Sequence, residues 1–122
     1  MSRIFRLAEM YHQQDSDVTE DLTETVAADV LAIPVTHGYV AKTTGADAEA
    51  LTLADGKPGQ VLVINLVTDG GGSGTLTPAT STGWSTILFA DAGDQAVLFY
   101  VDDTVGWIIL STFGLTAQPT VA

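Results

Sequence analysis

Beyond residue 29 the chain runs in short, largely apolar stretches broken by Gly, Asp and Pro. This pattern predicts strands near 30–35, 38–43, 49–53, 60–68, 74–77, 85–90, 95–101 and 106–112. Such spacing is that of an all-β domain, expected here as a compact antiparallel sandwich or barrel-like unit over residues 30–122. The breaks have a mechanism. Asp55-Gly56-Lys57-Pro58-Gly59 combines glycine, which reaches positive φ, with a proline that fixes φ near −65°. Asp69-Gly70-Gly71-Gly72-Ser73-Gly74 is expected as a flexible hairpin loop, and Asp91-Ala92-Gly93-Asp94 and Asp102-Asp103-Thr104 as the turns of the last two hairpins.

Residues 1–29 read differently. Ile4, Leu7, Ala8 and Tyr11 have the i, i+3, i+4, i+7 spacing of one helical face, with Phe5 beside it. Asp15, Asp17, Glu20, Asp21 and Glu24 then make the chain acidic, as in a solvated connector. The segment is therefore expected as an N-terminal arm or short helix ahead of the β-domain.

Two strands carry a further message. Val61-Leu62-Val63-Ile64-Asn65-Leu66-Val67 and Ala96-Val97-Leu98-Phe99-Tyr100-Val101 are apolar on both faces, whereas a strand with one wet face alternates. In so small a chain the second face needs a cover, either the N-terminal segment or another subunit. Homo-oligomerisation is the expectation that follows.

Composition narrows the function classes. The 122 residues fit one domain, and with no cysteine there is no disulfide, thiolate metal site or cysteine nucleophile. Fifteen acidic against four basic side chains give a net charge of −11, which argues against nucleic acid or an anionic membrane as partner. No run approaches the ~18 apolar residues of a membrane span, and Arg6, Glu9, His12 and Gln13 interrupt any signal-peptide core. Synthesis in a cytoplasm is expected.

Candidate chemistry is sparse. Gly70–Gly74 lacks the Gly-Lys-Ser/Thr ending of a phosphate loop and opens no helix, and in Gly56-Lys57-Pro58-Gly59 proline replaces the needed hydroxyl residue. Asp15-Ser16-Asp17 starts like a calcium loop and does not continue as one. His12 and His37 are the only histidines and are far apart, no G-x-S-x-G elbow surrounds a serine, and Ser73 sits in the glycine loop. No catalytic residue, metal site or cofactor is expected. Loop aspartates such as Asp69, Asp91 or Asp94 would meet around calcium only if the fold brought them together. Most aromatics fall in predicted strands and read as core, while Trp84, at a strand entry after Thr82-Gly83, reads as an exposed contact residue.

The succession Tyr39-Val40-Ala41-Lys42-Thr43-Thr44-Gly45-Ala46-Asp47-Ala48, Leu51-Thr52-Leu53-Ala54-Asp55-Gly56-Lys57-Pro58-Gly59-Gln60, Gly74-Thr75-Leu76-Thr77-Pro78, Ile87-Leu88-Phe89, Ala92-Gly93-Asp94 and Gly106-Trp107 resembles small β-rich virion proteins of tailed bacteriophages. Among these it is most similar to capsid decoration, or head cement, proteins. The resemblance implies a homotrimer on the outer surface of a phage capsid, cementing neighbouring major capsid subunits. It also implies that Arg3, Ile4, Phe5, Arg6 and Leu7 form a capsid-binding arm. The alternative is a receptor- or carbohydrate-binding module of a phage fibre, using Trp84, the glycine loop and loop aspartates.

Overall fold

The protein is described by a computed structural model over residues 23–121, which contains nine strands and no helix. They are β1 (Thr23–Val26), β2 (Ala32–Ile33), β3 (Tyr39–Thr43), β4 (Glu49–Leu53), β5 (Val61–Thr68), β6 (Gly74–Pro78), β7 (Ile87–Phe89), β8 (Gln95–Tyr100) and β9 (Trp107–Phe113). The larger sheet has the order β1-β3-β5-β8-β9 and the smaller the order β2-β4-β6-β7.

All eight runs expected after residue 29 contain a strand, but their pairing differs from the expectation. Through β6 the chain visits the two sheets alternately, so strands two apart in sequence are neighbours and run parallel: β1 with β3, β3 with β5, β2 with β4, β4 with β6. Parallel neighbours need a crossover, and here a strand of the opposite sheet supplies it in place of a helix. Only the last part reverses: β7 lies antiparallel on β6, β8 on β5 and β9 on β8. Both sheets are thus mixed, and neither an antiparallel sandwich nor a closed barrel forms. The physical reason is that period-two polarity reports which face is buried and is the same for either strand direction.

The glycine loop is accordingly no hairpin. It carries the chain from β5 in one sheet to β6 in the other and lies on the preceding crossover, with Gly72 N–H donating to Gly45 O at 2.8 Å and Glu49 N–H to Ser73 O at 2.8 Å. A Cβ on Gly70 would stand 2.1 Å from Thr44 O, and one on Gly72 2.0 Å from Asp47 O. Glycine is used there for close backbone approach between stacked crossovers. Residues 91–94 likewise pass between sheets, from β7 to β8, so only the 101–106 turn joins two antiparallel neighbours of the last hairpins.

Strand β1 falls inside the segment first set apart as an arm. Thr23-Glu24-Thr25-Val26 pairs along its length with Tyr39–Lys42, so these four residues belong to the larger sheet. Its acidity masks a short β-branched run. The helical spacing at Ile4–Tyr11 lies outside the described residues.

One core fills the space between the sheets. Val40, Leu62, Ile64, Leu66, Ala96, Leu98, Tyr100 and Trp107 reach it from the larger sheet, and Ile33, Leu51, Leu53, Leu76, Ile87 and Phe89 from the smaller.

Candidate functional site

The inward residues of β5 and β8 define, by alternation, what the other face of the larger sheet must carry. Register places Val61, Phe99 and Ile108 in one cross-strand row, and Thr23, Tyr39, Val63, Val97 and Ser111 in the next. Thr25, Ala41, Asn65, Gln95 and Phe113 make the third. No residue of these rows is charged, in a chain with fifteen carboxylates. Phe113 is 60% exposed, and Val61, Val67 and Leu110 are also open to solvent. Val63, Val97, Phe99 and Ile108 are half-buried, shading one another across the strands. The sequence expectation of a second apolar face on 61–67 and 96–101 therefore corresponds to a real surface, and nothing among the described residues covers it.

With strands about 4.8 Å apart and same-face rows about 6.8 Å apart, this face measures roughly 24 by 20 Å, or about 500 Å² in projection. Its apolar members Val61, Val63, Val97, Phe99, Ile108 and Phe113 are interspersed with Thr23, Thr25, Asn65, Gln95 and Ser111, and the extent is in the range of the largest patch of a typical monomer. Within it lies one polar pair: Asn65 Nδ2 donates to the Tyr39 hydroxyl at 2.8 Å, and Asn65 Oδ1 is shielded from solvent without a hydrogen bond.

Inside the domain the chemistry is structural. Lys42 and Glu49 face each other from opposite sheets, both buried, with Nζ 2.8 Å from Oε1. Lys42 also donates to Ala27 O at 2.8 Å and Val30 O at 2.6 Å, tying down the β1–β2 turn in which Asp29 adopts φ 66°. Glu49 Oε2 accepts the Gly45 N–H. Burial by itself raises the Glu49 carboxyl, but the hydrogen bonds from Lys42 and from the backbone of Gly45 and Asp29 outweigh it and hold the group below the usual carboxylate range. A pair so fully committed is a brace between sheets. Its signal in the sequence is Lys42, which shares the parity of inward-facing Val40.

Trp84 corrects an expectation. It is 2% exposed, with its indole N–H donating to Trp107 O at 3.0 Å, so it is a core residue and offers no ring to a sugar or a partner. The Thr82-Gly83 turn feeds it inward because the chain between β6 and β7 bridges to the start of β9 through Ser81 and Trp107. Trp107 is buried too, donating to Ala54 O at 2.9 Å and meeting Tyr100 edge-on with ring centroids 5.1 Å apart. The Tyr100 hydroxyl donates to Asp103 at 2.6 Å, and that bond, with burial and neighbouring carboxylates, pushes the phenol far above its ordinary value.

The remaining candidates are dispersed. Asp94 is buried and accepts the Ala90 and Asp91 N–H groups, while Asp69 accepts Gly71 N–H, so both are turn-formers. No three His, Asp or Glu side chains converge on a metal position among the described residues. His37 stands 3.6 Å from Glu24 at the edge of β1. An open depression of about 630 Å³ is lined by Val35, Thr36 and the 55–60 turn, where Gln60 is already engaged by Lys57 N–H and Val35 O. His12 and the proposed arm, Arg3, Ile4, Phe5, Arg6 and Leu7, lie outside the described residues. No described helix is long and apolar enough to cross a membrane.

No family model, no curated protein and no solved structure matches this chain.

Proposed function

We propose that this protein is a non-enzymatic structural component that assembles with copies of itself through the outer face of the larger sheet and, so assembled, binds a larger protein lattice. The observation that carries this is the uncharged apolar face formed by Val61, Val63, Val97, Phe99 and Ile108. The acidic side chains of the described residues sit in loops, at the β1 edge or, for Glu49, in the core. Copies that meet across the face keep their like charges at the rim, where water screens them. A charge-free face also sets no like charges against one another when copies are related by symmetry.

The sequence resemblance supplies the finer reading: a homotrimer on the exterior of a tailed-phage capsid, made in the host cytoplasm, that cements neighbouring major capsid subunits. In this reading Arg3 and Arg6 pair with capsid carboxylates, and Ile4, Phe5 and Leu7 enter apolar grooves. Three linked contacts raise avidity over a single contact by roughly a hundredfold or more. Burial of Trp84 takes away the ring on which a carbohydrate-binding module would depend.

The test is the mass in solution by light scattering over a range of concentrations, for the native chain and for Val63→Lys. A stable trimer that Val63→Lys dissociates is expected, and co-sedimentation of the trimer with phage heads that is lost on deleting residues 1–12. A native chain that stays monomeric refutes the assembly; a trimer indifferent to heads refutes the capsid role.

A further inference from the structure

The chain contains two Asp-Gly steps, Asp55-Gly56 and Asp69-Gly70. In such a step the glycine nitrogen can attack the side-chain carboxyl carbon of the aspartate before it, because glycine has no side chain to hinder the approach and the reacting atoms are held close by the chain itself. By sequence the two steps are alike, and both aspartates are exposed. The structure separates them. Asp69 Oδ1 accepts the Gly71 N–H at 2.8 Å, and the attacking group, Gly70 N–H, donates to Thr44 Oγ1 at 3.3 Å. The backbone is also pinned on either side, with Thr44 N–H donating to Thr68 O at 3.0 Å and Gly72 N–H to Gly45 O at 2.8 Å. Ring closure at Asp69 has to break both hydrogen bonds of the reacting groups and lift the strip off the neighbouring crossover, which calls for local opening. At Asp55 only the flanking groups are held, Ala54 O by the Trp107 indole and Lys57 N–H by Gln60 Oε1. Neither reacting group, the Asp55 carboxylate or the Gly56 N–H, has a hydrogen-bond partner among the described residues.

We propose that Asp55-Gly56 is a site of spontaneous backbone modification in the folded protein, converting Asp55 to isoaspartate, and that the fold protects Asp69-Gly70 from the same reaction. The steps balance with water alone. Gly56 N bonds to Asp55 Cγ; the nitrogen gives up its proton and the protonated carboxyl its hydroxide, which leave together as one water, and a succinimide remains. Water then adds to one of the two ring carbonyls. Addition at Cγ breaks the new bond and restores aspartate. Addition at the main-chain carbonyl carbon of Asp55 breaks the original peptide bond, so the chain runs on through Cβ and Cγ and a free α-carboxylate is left beside it. No oxidant, reductant or enzyme takes part.

The change falls on a packed turn. A Cβ on Gly56 would stand 2.8 Å from the Trp107 ring and 2.5 Å from Gln60 Oε1, so the backbone at this step lies directly on both. Isoaspartate adds a methylene to the main chain between Ala54, whose carbonyl holds the Trp107 indole, and Lys57, whose N–H is held by Gln60. Gln60 in turn donates to Val35 O, so the lengthened turn loosens the anchorage of a core tryptophan and of the segment before β3 together. None of these residues belongs to the rows of the outer face, and the inference stands apart from the self-association proposed above.

The experiment ages the full chain at neutral pH and body temperature, folded and in concentrated urea, and follows both steps by peptide mapping. Mass spectrometry reads the succinimide as the loss of one water, and labelling with an isoaspartyl methyltransferase reads the isoaspartate. In the folded chain Asp55 is expected to convert at least about tenfold faster than Asp69, and in urea the two are expected to agree within about twofold. Thr44→Val, which removes the bond to the Gly70 N–H, is expected to speed conversion of Asp69 in the folded state, with circular dichroism as the check on folding. Should that variant not fold, the native chain with and without urea decides alone. A folded chain in which Asp69 converts as fast as Asp55, or in which Asp55 stays intact while urea converts it, overturns the assignment. The same rate ratio with and without urea also overturns it, since the preference would then belong to the local sequence. A folded Thr44→Val chain with no gain at Asp69 overturns the protection ascribed to that bond.

Discussion

The two sheets present outer faces that differ in how much large apolar surface they carry. On the smaller sheet Ala32, Thr52 and Thr77 form one outward row and Ala50, Thr75 and Leu88 the next. On the larger sheet the corresponding rows are Val61, Phe99 and Ile108, then Thr23, Tyr39, Val63, Val97 and Ser111, so its apolar residues are concentrated on β5, β8 and β9. Threonine and valine have nearly the same shape and the same β-branch, so both faces suit strands equally well. They differ in what they accept as a neighbour: the threonine hydroxyl satisfies itself with water, and the valine methyl is better placed against another apolar surface. The difference is one of hydration, which strand propensity alone does not register, and the partner proposed for the larger sheet would meet the less hydrated of the two faces.

The strongest way to break the comparison is to part the sheets that carry the two faces. Replacing Lys42 by Met leaves the Glu49 carboxylate buried without its partner, and a loss of about 3–5 kcal/mol in urea unfolding is expected. Lys42→Met with Glu49→Leu is expected to recover much of that loss, because no charge then remains inside. Failure of the single variant to destabilise the fold would mean that the pair is not the brace described.

Adjacent residues of β5 sharpen the contrast between inside and outside. Leu62→Ala, which empties core volume, is expected to cost about 2–5 kcal/mol, and Val63→Ala less than about 1 kcal/mol when measured on the dissociated chain. Equal losses at the two positions would show that the outer face is covered within the chain itself. The faces themselves are compared by charge insertion. Val63→Lys is expected to weaken self-association by about a hundredfold or more, since an ammonium would be buried, and Thr52→Lys by less than about twofold. A similar effect from both substitutions would remove the distinction between the faces.

The smallest expected effect is on acid stability. The folded-state Glu49 carboxyl lies below its unfolded value, so its contribution is fully present above the unfolded value of about 4.3 and is lost as pH falls through the folded one. The groups facing it are Lys42, with Nζ 2.8 Å from Glu49 Oε1, and Asp29, whose Oδ1 flanks Gly45 together with Glu49 Oε2. The gap in urea midpoint between the native chain and Glu49→Gln is expected to narrow from pH 6 toward pH 3. A gap that stays constant over this range would assign the variant's cost to packing instead of charge.

Much of the fold is legible before any coordinates. Alternation at 49–53 is enough to place Leu51 and Leu53 on a buried face, because a strand side chain has only two directions to take, whereas the doubly apolar run 96–101 leaves it to the fold to turn Ala96, Leu98 and Tyr100 inward. The second apolar face of 61–67 is equally visible, and it is the candidate site. Two features mislead. The glycine run at 70–74 has the composition of a free loop, although its glycines serve close packing against Thr44 and Asp47, residues distant in sequence. Trp84 follows a turn, and only the bridge between Ser81 and Trp107 shows that the turn leads inward.

Local polarity and backbone stereochemistry therefore determined the eight strands after residue 29, the positions of the breaks between them and the existence of an apolar surface in excess of one core. These depend on neighbours within a few residues. Strand order, the parallel crossovers between sheets, the Lys42–Glu49 brace and the position of Asn65 beside Tyr39 were decided by the tertiary structure. Each is a pairing between segments whose separation along the chain carries no energy of its own, and the choice among pairings is made by how the whole set of faces, loops and buried charges is satisfied together.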